Sequence, residues 1–318
     1  MAGGEKRIVF MGTPEFARIV LNYVLSWPWG KIVGVYTQPD RPRGRDRVPQ
    51  PSPVKELARD KALPVYQPQN FKSQEEVDKL GELEPDYLVV AAYGLILPQE
   101  VLQTAREMPL NVHASLLPLY RGAAPIQRAI INGEEYTGIS IMHLTPGMDS
   151  GPVLMRHSLP IEESDTAQSL HDKLASLGGE LLLQTLDKLQ QEGISLQEQD
   201  SDQATYAPKL QKEEGEIDWN LPAREIHNRI RGMFPWPGAY FDWNAPGGKA
   251  LRLIVYPGKI GQDKPSGMEP GTIAGMQDEY LCIACRDKMY LVPWIKPVGG
   301  KEMSAHSFYC GFLHKYEQ

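Results

Sequence analysis

Apolar positions along the first 190 or so residues alternate between two spacings. Arg7–Gly12 (R-I-V-F-M-G) is a short, nearly continuous apolar run and predicts a buried strand. Pro14 follows, where a missing N–H costs nothing at the first turn of a helix, and Phe16, Ile19, Val20, Tyr23 and Val24 give that helix one apolar face. Lys31–Thr37 predicts a second strand, Ser52-Pro53 the start of a helix reaching about Ala62, and Leu63–Tyr66 a short strand. Ser73 with Glu76 has the form of a capping box ahead of another helix. Tyr87–Tyr93 (Y-L-V-V-A-A-Y) suits a central parallel strand covered on both faces. Leu110–Ser115 and Thr137–Leu144 add two strands, and a helix over about Asp165–Gln191 closes the series. Such alternation predicts a doubly wound parallel α/β sheet with helices on both sides.

The character changes around residues 194–216, where the chain turns polar (Gln197-Glu-Gln-Asp-Ser-Asp-Gln). Beyond it, short β-like runs at Leu251–Tyr256, Gly271–Ala274, Tyr280–Ala284 and Met289–Pro293 are punctuated by Gly and Pro, the pattern of a small all-β barrel or sandwich. The expected organisation is a catalytic domain over 1–193, a linker over 194–207 and a second domain over 208–318.

With 318 residues, two domains are the natural division. The apolar run near the N-terminus is too short to span a membrane, so a cytoplasmic chain with no targeting segment is expected. Residues 1–208 carry 19 basic and 27 acidic side chains, and residues 209–318 carry 14 and 13. That balance excludes a uniformly basic nucleic-acid binder but leaves room for a local basic patch. Cys282, Cys285 and Cys310 are too few for a disulfide scaffold. Cys282 and Cys285, with His306, Cys310 and His314 further on, suggest zinc ligands, but positions three apart on a strand face opposite ways, so no metal is expected.

In an open α/β sheet, ligands bind beyond the carboxyl ends of the strands. The first such loop, Gly12-Thr13-Pro14, lacks G-x-G-x-x-G, and no G-x-x-x-x-G-K-[ST] occurs, which disfavours dinucleotide and P-loop chemistry. Leu110–Ser115 is more informative. Alternation puts Asn111, His113 and Ser115 on one strand face, at the strand's end before Leu116-Leu117-Pro118 turns the chain. An amide donor beside an imidazole suits oxyanion stabilisation and proton transfer, and it suits equally a hydrogen-bonded cap of the turn. Gly147-Met148-Asp149-Ser150-Gly151 adds a carboxylate on a glycine-flanked loop after the strand Thr137–Leu144, which the topology places on the same side. Asp40–Arg47 sets Arg41, Arg43, Arg45 and Arg47 in one Pro/Gly-rich loop, either a solvated segment or a clamp for phosphates.

N-V-H-A-S-L-L-P-L-Y-R-G-A-A-P-I (111–126), T-G-I-S-I-M-H-L-T-P-G-M-D-S-G (137–151) and T-Q-P-D-R-P-R-G-R (37–45) closely resemble the methionyl-tRNA formyltransferase family. Y-G-L-I-L-P (93–98), I-D-W (217–219) and P-W-P (235–237) extend the resemblance over nearly the whole chain. It implies a Rossmann-like sheet domain followed by a small OB-like β-barrel that binds tRNA. It further implies formyl transfer from 10-formyltetrahydrofolate, as co-substrate and without metal, to the amine of initiator methionyl-tRNA, by a monomer. Asn111, His113 and Asp149 become the catalytic trio, the first two stabilising an oxyanion while Asp149 holds His113 and helps move a proton. Ser115, Leu116, Leu117 and Pro118 become a folate-binding segment; Tyr93, Gly94, Ile96 and Leu97 line the pterin pocket through backbone groups. Arg41, Arg43, Arg45 and Arg47 would contact tRNA. Met148 and Ser150 stand where the family often has Leu and Thr, and Phe234 where it often has Asn. A 10-formyltetrahydrofolate hydrolase and a sugar-amine N-formyltransferase remain alternatives separable by the acceptor used, and a non-catalytic folate or RNA-binding module is one whose function would survive Asn111→Ala or His113→Ala.

Overall fold

The computed structural model describes residues 4–43, 48–191, 193–244 and 250–313, with the backbone alone at Arg43. Two compact units emerge. The first gathers Met1–Pro125, Tyr136–Pro160 and His171–Ala207; the second gathers Ile126–Glu135, Ile161–Leu170 and Pro208–Gln318.

The first unit is built on a seven-stranded sheet in the order Val153–Pro160, Tyr136–His143, Met108–His113, Tyr87–Ala91, Lys6–Gly12, Gly30–Tyr36, Val65–Tyr66. The last five are parallel, as the doubly wound pattern predicts. Tyr136–His143 and Val153–Pro160 run antiparallel at one edge. Tyr87–Ala91 is buried throughout, the burial expected of a central parallel strand.

Helices cover both faces because successive strand residues point oppositely. On one side Val9, Met11, Leu88 and Val90 pack with Val77 and Leu80 of the helix Gln74–Gly81 and with Val101. On the other, Gly178 of the long helix Ala167–Gln191 meets Val112, Ile139 and Phe16 closely enough that a Cβ there would lie 2.9 Å from Val112. The Trp27 indole N–H donates to Asp187 of that helix at 2.8 Å. Ser52 caps the helix Pro53–Asp60 by accepting from the Lys55 amide, with Pro53 at its first position. Ser73 occupies the cap of its helix but makes no side-chain cap bond.

The second unit holds two four-stranded antiparallel sheets among its described residues, in the orders Ala239–Asn244, Ala250–Val255, Trp294–Pro297, Met303–Ser304 and Lys259–Asp263, Lys288–Val292, Tyr280–Ala284, Ile273–Gln277. A helix, Ala223–Met233, joins them. Its inner face mixes Ile226 and Ile230 with buried His227, Asn228 and Arg231, which disguises the apolar spacing. The Arg231 guanidinium donates to the carbonyls of Glu162 and Asp165 and to the Asn228 side chain. Among the described residues no helix is long and apolar enough to cross a membrane.

Candidate active site

Asn111 and His113 share the sheet face that carries Val9, Met11, Leu88 and Val90, since Asn111 pairs with Val90 and Val90 with Met11. Both are almost fully buried, at 9% and 6% exposure, so each needs a partner. The Asn111 amide reaches the Asp149 carboxylate only at 3.5 Å, which leaves it donor capacity for an incoming oxygen. His113 Nε2 lies 3.0 Å from the Tyr120 carbonyl. A carbonyl only accepts, so the proton in the neutral ring sits on Nε2 and the free lone pair on Nδ1. Nδ1 faces Asp149 at 3.7 Å, longer than a direct hydrogen bond. The resemblance implied that Asp149 holds His113; in this geometry the Tyr120 carbonyl orients the ring, and Asp149 stands opposite the nitrogen able to take up a proton.

Asp149 arrives by a different route from that expected. Its preceding strand is antiparallel, with His143 opposite Leu110 near the start of the neighbouring strand. The carboxyl end of that strand therefore points away from the other carboxyl ends, and the loop Leu144–Pro152 brings Asp149 back over the sheet. Asp149 adopts φ +45°, a left-handed conformation that Asp tolerates better than most residues. The Gly122 amide donates to its carboxylate at 2.8 Å, and Gln199 donates to its carbonyl at 2.8 Å and to that of Gly151 at 2.6 Å.

The S-L-L-P turn is largely bonded to itself. Buried Ser115 donates to the Leu119 carbonyl at 2.5 Å, while the Leu117 amide donates to Ser140 Oγ, which donates to the Ser115 carbonyl. Leu117 packs with Met142 and Val153. Leu116 and Pro118 are half-buried, with Leu116 Cδ2 lying over Gly138 of the strand Tyr136–His143. In the segment Tyr93–Pro98 the Tyr93 ring lies in the core beside Phe71, and its carbonyl accepts from Thr13 Oγ1 at 2.9 Å and Gln38 Nε2 at 3.0 Å. Both lone pairs of that carbonyl are thus used internally. Gly94, with φ +78°, and Ile96, 92% exposed, present the rest of the segment outward, with Leu97 half-buried.

Arg41–Arg43 pairs with Val48–Gln50 as a two-stranded hairpin, and Arg41 is exposed. Its root is fixed by buried Lys55, whose ammonium contacts Asp40 and Gln67 at 2.6 Å each. Arg45, Arg47 and the Arg43 side chain lie outside the described residues. Cys282 packs against Ala284, Met289 and Leu291, and burial pushes the Cys285 thiol up to about 12. Among the described residues no three His, Cys, Asp or Glu side chains gather as metal ligands, and His314 is outside them.

The formyl transferase family pattern matches residues 6–186, and that of the formyl transferase C-terminal domain matches residues 209–313. The chain is 49% identical over 311 residues to the methionyl-tRNA formyltransferase of Nitratidesulfovibrio vulgaris (strain DP4), covering 98% of this chain and 94% of that protein. The chain belongs to the methionyl-tRNA formyltransferase family. Its Caldanaerobacter subterraneus relative of the same name is 45% identical, with 96% of each covered. Among solved structures, the N-formyltransferase of Helicobacter canadensis shares this formyltransferase fold at a TM-score of 0.65 and 17% identity, over 94% of this chain and 99% of that one. HypX from Aquifex aeolicus in complex with tetrahydrofolic acid superposes at 0.63 and 16% identity over 98% of this chain, which spans about half of HypX.

Four groups bonded around the candidate site were not foreseen: the Tyr120 carbonyl, the Gly122 amide, Arg121 and Gln199. The first three lie inside the Y-R-G stretch shortly after S-L-L-P, where Gly122, found at φ +120°, was the one signal in the sequence. Gln199 sits in the stretch expected to be a mere linker and carries no local signal at all.

Proposed function

We infer that this chain transfers the formyl group of 10-formyltetrahydrofolate to the α-amine of methionine esterified to initiator tRNA. The observation carrying the chemistry is the meeting of Asn111, His113 and Asp149 around one point of the sheet face. Near-full-length similarity to enzymes of that name supports the acceptor. The residues suit the co-substrate, because a nearly buried amide with donor capacity to spare fits a formyl oxygen that gains negative charge.

The folate supplies an electrophilic formyl carbon and a nitrogen that departs once it gains a proton. The methionyl amine forms the new C–N bond to that carbon as the bond to the folate nitrogen breaks. Asn111 donates to the formyl oxygen as charge gathers there, and His113 can donate alongside it only once Nδ1 has taken up a proton. The amine sheds one proton, which Asp149 and His113 Nδ1 are placed to accept, and the folate nitrogen takes one up, so protons balance. Leu116, Pro118 and residues 94–97 line the folate side, and Arg41, with Arg43, Arg45 and Arg47, engages tRNA phosphates as the second domain, 208–318, holds the tRNA. The enzyme works as a monomer in the cytoplasm.

Asn111→Ala should lower the rate of radiolabelled formyl transfer to methionyl-tRNA by about 10²-fold or more. A rate near that of the unaltered enzyme would refute the mechanism, and equal transfer to free amino sugars or to water would refute the acceptor.

A further inference from the structure

We propose that Arg121 and Gln199 are positioning residues that hold the Asp149 loop in its working conformation. The inference rests on the catalytic reading of Asp149. Gln199 spans two incompatible surfaces. Its Oε1 accepts from Arg121 Nε at 3.1 Å and Nη2 at 2.8 Å, while its Nε2 donates to the carbonyls of Asp149 and Gly151. Guanidinium nitrogens only donate and carbonyls only accept, so the amide has one possible orientation, and neither a carboxylate nor an apolar side chain can replace it. Arg121 is buried to 4% exposure, and its charge polarises the Gln199 amide, strengthening the N–H bonds on the far side.

The clamp acts where the backbone needs it. Asp149 at φ +45° occupies a region that is strained for a non-glycine residue, and the two carbonyls held by Gln199 flank its neighbour Ser150. From the opposite side the Gly122 amide fixes the carboxylate itself. Arg121 and Gly122 are adjacent, and their strand pairs with Tyr206–Ala207, seven and eight residues beyond Gln199. One short stretch of chain thus sets both the carboxylate of Asp149 and, through Gln199, its backbone. Gln199 itself makes no contact with Asn111 or His113 in these bonds, so its effect on the reaction passes through Asp149.

The test compares steady-state formyl transfer in wild type, Gln199→Leu, Gln199→Glu, Arg121→Lys, Asp149→Asn and the double variant Gln199→Leu/Asp149→Asn. Gln199→Leu should lower kcat about 10- to 100-fold, the scale of a misplaced catalytic group, with KM for both substrates within about twofold. Gln199→Glu, isosteric but unable to donate to the carbonyls, should match it and decides the matter should the leucine variant fold poorly. Arg121→Lys, which still offers N–H to Oε1, should recover most of the rate. In the Asp149→Asn background Gln199→Leu should cost almost nothing further, because both changes act on one element. An unchanged kcat in Gln199→Glu, a loss confined to KM, or the same fold loss in both backgrounds would overturn the proposal. Wild-type turnover in Asp149→Asn itself would overturn the catalytic reading, and the proposal with it.

Discussion

Gly122 offers the sharpest way to disturb the site without touching a reacting group. Its φ of +120° lies outside what L side chains adopt readily, and a Cβ built there would fall 2.9 Å from the Ala207 carbonyl oxygen and 3.4 Å from its carbon. That oxygen already accepts from the Ala124 amide at 3.1 Å, so it cannot withdraw without breaking a bond that fixes the strand pair. Gly122→Ala therefore combines backbone strain of about 1–3 kcal/mol with overpacking of about 1–3 kcal/mol. For a unit of this size the sum corresponds to a Tm lowered by roughly 5–20 °C. Because the Gly122 amide also donates to Asp149, kcat should fall as well, while KM for methionyl-tRNA stays put. Circular dichroism melts and formyl-transfer kinetics on the same preparation read both effects. A variant melting within 2 °C of wild type with kcat intact would show that this strand pair is free to shift, and the reasoning about the site's rigidity would fail.

Two pH effects follow from the half-buried Asp40 and the buried His227. Hydrogen bonds from Lys55 and Gln67 hold the Asp40 carboxyl below the usual carboxylate range, so its stabilisation is full above about pH 4 and is lost as pH falls through the folded value. Asp40→Asn should flatten the acid limb of the melting curve between pH 3 and 5; an unchanged limb would remove Asp40 from that account. Burial holds the His227 imidazole below its ordinary value of 6.5, so stability is full above that value and declines as pH falls beneath it, by at most about 1.4 kcal/mol per pH unit. His227→Gln should lessen the fall in Tm between pH 7.5 and 5.5, and an equal fall in both proteins would count against it.

Much of this was legible in the chain. The strand ending at His113 and the helix ending at Gln191 follow from apolar spacing alone, because each buries one regular face. The pairing of Asn111 with His113 follows from strand alternation. The direction of Tyr136–His143 was not legible, since an apolar run reads alike in parallel and antiparallel pairing, and so the path of Asp149 to the site was not either. The helix Ala223–Met233 escaped because His227, Asn228 and Arg231 are polar yet buried: His227 and Arg231 meet carbonyls that only the fold brings near, and Asn228 accepts from Arg231. Gln199 escaped for the same reason: a glutamine in a polar stretch acquires its meaning from Arg121, 78 positions earlier.

The stretch 194–207 also bears on where the gene can be cut. Its residues cluster with the first unit, exchange backbone bonds between Val153 and Gln197, and add Tyr206–Ala207 beside Arg121–Gly122. A truncated protein ending at residue 193 would keep Asn111, His113 and Asp149 yet lose the groups that shape the loop around Asp149. A fragment carried through Ala207 retains them. Any chimera that swaps the second domain should therefore place its junction after this stretch, treating these fourteen residues as inherited with the first unit and not with the second.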